Sequence, residues 1–214
     1  MKHSNAKSNT TRKTIKPVFA DQDFLSGDGF LTTVWGPPMW HYLHTMSFNY
    51  PVHPTAADKR NYSSFIINLQ NVLPCKYCRI NLKTNFKNHP LRACHLVNRD
   101  AFSRYVYELH EIINKLLGKT SGLSYCDVRE RYEHFRARCT DDPNPRMAKT
   151  YRMAKPNPKN KTTKKKEKGC TEPLYGKYSK CVLKIVPQDA PAESLSIDRQ
   201  CIKRKGEHTS RSDV

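Results

Sequence analysis

The chain has 214 residues, 37% of them apolar, with 38 Lys or Arg against 19 Asp or Glu and a formal net charge of +19. That length holds one ordinary domain plus tails, and Gly and Pro are too few for a fibrous protein. The charge predicts salt-sensitive attraction to nucleic acid or other polyanions, and it does not by itself predict base reading.

Residues 1–25 read as a disordered polar tail. Lys2, Lys7, Arg12, Lys13 and Lys16 occur there without an acidic residue up to Lys16. No apolar run follows, so no secretory signal is expected; a mitochondrial presequence is the alternative, and the scarcity of Arg with the lack of an apolar face favours plain disorder. No segment approaches the ~18 apolar residues of a spanning helix, since Asn68, Gln70 and Asn71 interrupt the apolar-rich run Phe65–Leu73.

Residues 26–139 carry the helical periodicity and both tryptophans. Pro37-Pro38 precede a helix with Trp40, Leu43, His44 and Ser47 on one face, ending before Pro51. Thr55 or Ala57 opens a second, with Tyr62, Phe65, Ile66, Leu69 and Leu73 on its apolar side. Pro74 ends it, and a third runs from near Cys75 to about Asn88. Asp100 is the expected N-cap of a fourth, whose buried face takes Tyr105, Val106, Leu109, Ile112, Ile113 and Leu116, with Gly118 as its stop. Ser124 and Asp127 form a capping box for a short fifth helix carrying Val128, Tyr132 and Phe135. The fold class is all-α: a four-helix bundle plus a short fifth helix. Residues 140–169 are a basic flexible linker, with ten Lys or Arg against three acidic residues. Residues 170–214 form a small C-terminal segment and tail, in which Cys181–Val186 reads as a strand.

Eight cysteines are present: Cys75, Cys78, Cys94, Cys126, Cys139, Cys170, Cys181 and Cys201. Without a signal peptide, redox chemistry or metal binding is the better default than a disulfide framework. Cys75-Lys76-Tyr77-Cys78 falls at a predicted helix N-terminus. Free N–H groups and partial positive charge there stabilise a thiolate, with Lys76 and Arg79 adding to them. Cys75 is assigned to exchange with incoming thiols and Cys78 to the inner electron acceptor. A zinc site completed by Cys94 or His95 competes with this reading. A thioredoxin-like protein would need βαβ flanks, and these are helical.

An oxidase must pass its electrons on, which needs a cofactor. Trp40 and His44, at i and i+4, can sandwich a planar ring. His110 and Asn114 share a face in the same way. Lys119, past that helix, can reach a phosphate, and Tyr132 with Phe135 can cover an adenine. Taken singly, each has a plainer reading as core packing or a solvated charge.

Together, Trp-x-x-x-His, Pro-Cys-x-x-Cys about thirty residues on, and His-x-x-x-Asn-x-x-Leu-Gly-Lys resemble the Erv/ALR family of FAD-linked sulfhydryl oxidases. The context of Cys75 looks most like the members carried by large cytoplasmic DNA viruses. The resemblance covers about residues 26–139. It implies a helical bundle holding FAD beside Cys78, a homodimer, protein thiol substrates, and oxygen as acceptor giving hydrogen peroxide. It puts FAD contacts on Trp40, His44, His110, Asn114, Lys119 and Tyr132, and catalysis on Cys75 and Cys78. It also suggests a virion or host cytoplasm as the location, with no membrane. Three departures stand out. Glu111 follows His110 where many relatives have Asn, and Tyr132 is often Trp. Tyr107 replaces a cysteine that relatives bridge to the position of Cys126.

Beyond the linker, Cys170, Cys181 and Cys201 could supply a shuttle disulfide or a small structural one. A second function class is a basic nucleic-acid-associated protein with a structural zinc site, supported by Lys159–Lys168. Against it, no aromatic residues interleave that run.

Overall fold

The computed structural model describes residues 18–138, 170 and 172–203. The linker 140–169, Cys139 and most of the N-terminal tail lie outside the described residues. Four long helices carry the bundle: α2 (Thr32–Phe48), α3 (Ala56–Val72), α4 (Lys76–Asn88) and α5 (Arg99–Leu116), with a short α6 (Tyr125–Glu133). A four-residue helix, α1 (Asp21–Phe24), lies within the stretch expected to be wholly disordered. Its Asp23 carboxylate accepts from the Ala20 N–H at 2.7 Å, which closes that turn locally.

Local signals account for most helix ends. Thr55 and Ser124 each cap through a reciprocal box with Asp58 and Asp127. At the end of α5, the N–H of Lys119 donates to Asn114 and that of Gly118 to Lys115. Gly118 has φ +65°, so this is the paired closure in which a left-handed glycine satisfies the last carbonyls.

Four helix expectations are corrected. α2 begins at Thr32, so Pro37 and Pro38 lie inside it. The prolines cannot donate toward Thr33 and Val34, but both residues are exposed and water can serve their carbonyls. The first turn is held instead by Val34 and Trp35 N–H groups on the Leu31 carbonyl and by Trp35 Nε1 on Phe30. Asn98, not Asp100, caps α5 by accepting from the Ala101 N–H at 2.9 Å. The Asp100 carboxylate instead accepts from the Tyr125 hydroxyl at 3.0 Å and pairs with Arg104. Leu116 is 63% exposed, because the last turn of α5 has no core beneath it, and Phe135 lies just past α6.

One core cluster binds α2, α3, α4 and α5 through Leu43, Ile66, Leu69, Leu82, Phe102, Tyr105, Val106 and Leu109. Tyr50, fully buried just after α2, donates to the Leu96 carbonyl at 3.0 Å and packs against Tyr62 and Phe102. A smaller cluster of Phe48, Tyr125 and Val128 seats α6.

The C-terminal segment is corrected too. Residues 181–186 form no strand; Val182, Leu183 and Ile185 are more than 70% exposed. β-Branched content without a pairing partner does not make a strand. The ladder present is a two-residue antiparallel pair of β1 (Ala137–Arg138) and β2 (Glu172–Pro173). The segment is tied back by the N–H of Leu174 on Arg136 and that of Lys203 on His134 Nδ1.

Candidate active site

Cys75 is the N-cap of α4. Pro74 ends α3 and turns the chain, so Cys75 Sγ points at the open first turn of α4 and accepts from the Cys78 N–H at 3.2 Å. Both side chains are half-buried thiols in this structure. Burial pushes the Cys75 thiol up. Hydrogen bonds from the Cys78 thiol and from the Cys78 and Tyr77 N–H groups, with the charge of Arg79, outweigh that and leave it below its ordinary range. Burial, together with the hydrogen bond and charge of Cys75, pushes Cys78 up to about 11. The two thiols are therefore unlike, with the anion favoured on Cys75.

Two features hold this elbow. Arg79 donates from Nη1 to the Leu73 carbonyl at 2.5 Å, so its guanidinium spans the α3–α4 turn, while its backbone N–H donates to the Cys75 carbonyl at 3.1 Å. Lys76, expected to act beside it, points into solvent. The stretch before α2 crosses the same elbow, where the Phe30 N–H donates to the Pro74 carbonyl at 2.9 Å. A Cβ on Gly29 would lie 2.7 Å from the Pro74 oxygen and 3.2 Å from Cys75 Cα, so only glycine allows this approach.

The second constellation lies between α2, α5 and α6. The rings of Trp40 and His110 stack at 3.9 Å, 9° from parallel. His44 Nε2 and His110 Nδ1 share a hydrogen bond of 2.9 Å. Tyr132 packs over His44, His41 and Phe48 at 5.3–5.5 Å. The Trp40 and His44 rings are tilted 35° at 6.1 Å, while one face of Trp40 lies on His110. Burial holds both imidazoles neutral. His44 falls to about 3, helped by His110 and His41, and His110 falls to about 4 despite Glu111. Burial pushes the Tyr132 hydroxyl up to about 12.

Asn114 lies one turn beyond His110, with its Nδ2 donating to Glu111 at 3.0 Å. Lys119 is exposed past the glycine closure and contributes its backbone N–H there. Trp40, His44, His110 and Tyr132 thus form one cluster, Asn114 borders it, and Lys119 stands outside it. His41 belongs to it as well; it lies three residues from His44, a helical spacing that marks it in hindsight. His41 Nδ1 and His44 Nδ1 are buried and have no partner among the described residues. Unpartnered nitrogens among flat apolar faces fit a planar heteroaromatic group with a hydrogen-bonding edge, as FAD has.

Tyr107 explains one departure. Its hydroxyl donates to the Leu123 carbonyl at 2.8 Å and its ring meets Tyr125 edge-on. The α5–α6 junction is thus tied without a bridge, and Cys126 is an exposed thiol. Cys181 and Cys201 carry no bridge either. No three His, Cys, Asp or Glu among the described residues are grouped to hold a metal ion, and His95 Nδ1 accepts from the Arg92 N–H. No described helix is long and apolar enough to cross a membrane.

A family model described as the Erv1 / Alr family matches residues 37–133. A probable FAD-linked sulfhydryl oxidase of Acanthamoeba polyphaga mimivirus is 32% identical over 99 residues, covering 46% of this chain and 68% of that one. The FAD-linked sulfhydryl oxidase of African swine fever virus is 28% identical over 99 residues, covering 46% and 80%. FAD-linked sulfhydryl oxidase ERV1 of Arabidopsis thaliana is 29% identical over 84 residues, covering 39% of this chain and 42% of its own length.

Proposed function

This chain belongs to the Erv1 / Alr family, and we propose that it is an FAD-dependent thiol oxidase that makes disulfides in protein substrates. The observation that carries the reading is the inequality of the two thiols at the head of α4. The thiol that favours the anion is the N-cap, and its neighbour three residues on is pushed up to about 11.

The chemistry of the chain's own residues follows. In the oxidised enzyme Cys75 and Cys78 are joined. A substrate thiolate attacks Cys75 Sγ; the Cys75–Cys78 bond breaks, a mixed disulfide forms, and Cys78 leaves with the electron pair and takes a proton. The second substrate thiolate attacks its own mixed-disulfide sulfur and releases Cys75 as a thiolate, which the helix start and Arg79 stabilise. The substrate leaves with a disulfide, and two electrons remain on the cysteine pair. Trp40, His44, His110, Asn114 and Tyr132 would hold FAD, with Lys119 near its phosphates. Bound FAD supplies a two-electron acceptor that returns the pair to the disulfide, with oxygen as the final oxidant and hydrogen peroxide as product. The neutral, desolvated histidines supply orientation and exclude water. A homodimer, and a shuttle disulfide drawn from Cys170, Cys181 or Cys201, belong to the same reading.

The deciding experiment is a visible spectrum of the pure protein coupled to oxygen uptake with dithiothreitol. Flavin absorbance and dithiol-dependent uptake are expected. A protein that stays colourless after refolding with FAD would end the proposal.

A further inference from the structure

The cysteine pair opens onto an unusually one-signed surface. From Lys59 to Arg99 the chain has eight Lys or Arg and no Asp or Glu. Four of the cations are on α4, at Lys76, Arg79, Lys83 and Lys87. Steps of three, four and four residues put them on one helical stripe. The buried side of the helix lies beside this stripe, with Leu82 and Asn85 inward and Cys78 and Phe86 partly so. Lys76, Lys83 and Lys87 are exposed, and none of the four cations belongs to an ion pair among the described residues. Arg79 alone is engaged, on the Leu73 carbonyl. The stripe therefore starts at the reactive cysteine and runs away from it, uncompensated.

We propose that this stripe is a docking surface for the substrate polypeptide, selecting protein thiols whose cysteine lies next to an acidic segment. The inference rests on the reading that Cys75 receives substrate thiols. At 1.5 Å per residue the stripe is about 16 Å long. An extended peptide matches that length with about five residues at ~3.3 Å each. An acidic segment of that size beside the substrate cysteine meets the exposed Lys76, Lys83 and Lys87 while its sulfur lies at Cys75. Nucleic acid would also be attracted to the stripe. The protein segment is favoured because the stripe begins at a thiol, whose chemistry serves a cysteine-bearing partner, and because no exposed aromatic other than Tyr77 is interleaved with it for base stacking.

The test uses the full-length holoenzyme and three reduced dithiol peptides, alike except for five flanking residues that are acidic, neutral or basic. It also uses Lys83→Glu/Lys87→Glu and, as the conservative control, Lys83→Arg/Lys87→Arg. Both positions lie more than one helical turn past Cys78 on α4. The wild type should show a KM roughly ten-fold lower for the acidic than for the neutral peptide at low salt, with the advantage shrinking as ionic strength rises. The Glu variant should lose or invert that order with kcat unchanged; the Arg variant should keep it. Fluorescence anisotropy of the acidic peptide with Ser in place of Cys reads docking without turnover. Dithiothreitol oxidation, measured alongside, should be the same in all three proteins. Its absence in the wild type counts against the oxidase reading, while the anisotropy still decides the docking surface. Equal KM for acidic and neutral peptides, or an acidic preference that survives charge reversal, overturns the proposal. So does a reversal that weakens binding of a DNA duplex while leaving the acidic peptide's KM and anisotropy unchanged.

Discussion

At the α3–α4 elbow, the first turn of α4 and Arg79 surround Cys75 with donors and positive charge, and its thiol moves toward the anion. Between α2, α5 and α6, His44 and His110 share one hydrogen bond among apolar rings, and burial drives both toward the neutral form. Both regions border the same core cluster, against which Leu73 and Trp40 both pack. The contrast shows that burial alone does not set a group's charge. Desolvation opposes the ion in both places, and at the elbow a helix start and a cation overcome it. In the pocket nothing does, since Glu111 is the one charged group drawing His110 upward.

The largest effect expected is at the elbow. Cys75→Ser should lower oxidation of dithiols by about a thousand-fold or more while leaving the far-UV spectrum intact, because a catalytic nucleophile has no substitute. Wild-type rates in that variant would remove Cys75 from its role.

The pocket is tested by stability against pH. Above about pH 7.5 both histidines are neutral in folded and unfolded chains alike. As pH falls, the unfolded chain takes up protons that the folded state refuses until about pH 3–4. Stability is therefore lost on acidification, by about 2 kcal/mol per histidine at pH 5. Urea midpoints at pH 7 and pH 5 measure this, and His110→Phe should flatten the dependence. An unchanged slope in that variant would mean that His110 titrates normally.

The inequality of the thiols comes next. In the reduced protein at neutral pH, iodoacetamide should modify Cys75 at least about ten-fold faster than Cys78, since only the thiolate reacts. Arg79→Met should move the Cys75 midpoint up and slow its alkylation at neutral pH. Peptide mapping against time reads both. Equal rates in the wild type would dissolve the contrast between the two sulfurs.

The smallest effect concerns the strap before α2. Gly29→Ala forces backbone apart at Pro74 and Cys75, at a cost of about 1–2 kcal/mol. The change should appear in Cys75 alkylation more than in the acid sensitivity of the pocket. Loss confined to the pocket would contradict the geometry.

The elbow was the more legible of the two regions. Pro74, the Cys-x-x-Cys spacing and the following periodicity mark a helix start within five residues, and capping acts over that range. The boxes at Thr55 and Ser124 and the glycine closure at Gly118 are legible for the same reason. α2 was less so: Pro37 and Pro38 argue for a start after them, and the earlier turn depends on Trp35 reaching back to Phe30. Residues 181–186 have the composition of a strand but no partner strand, and a strand is defined by its neighbour. The pocket's members were readable as residue types at helical spacing, yet their pairing was not.

The sequence by itself determined the order of the helices, most of their ends and the place of the cysteine pair at the head of one of them. These follow from hydrogen bonds between residues three or four apart. Only the tertiary structure decided that Trp40 stacks on His110, that Gly29 lies against Cys75 and that Arg79 bridges the α3–α4 turn. Two of those contacts join residues forty or more apart in the chain. Packing of helices around a shared core brings them together, and no local rule of spacing reaches that far.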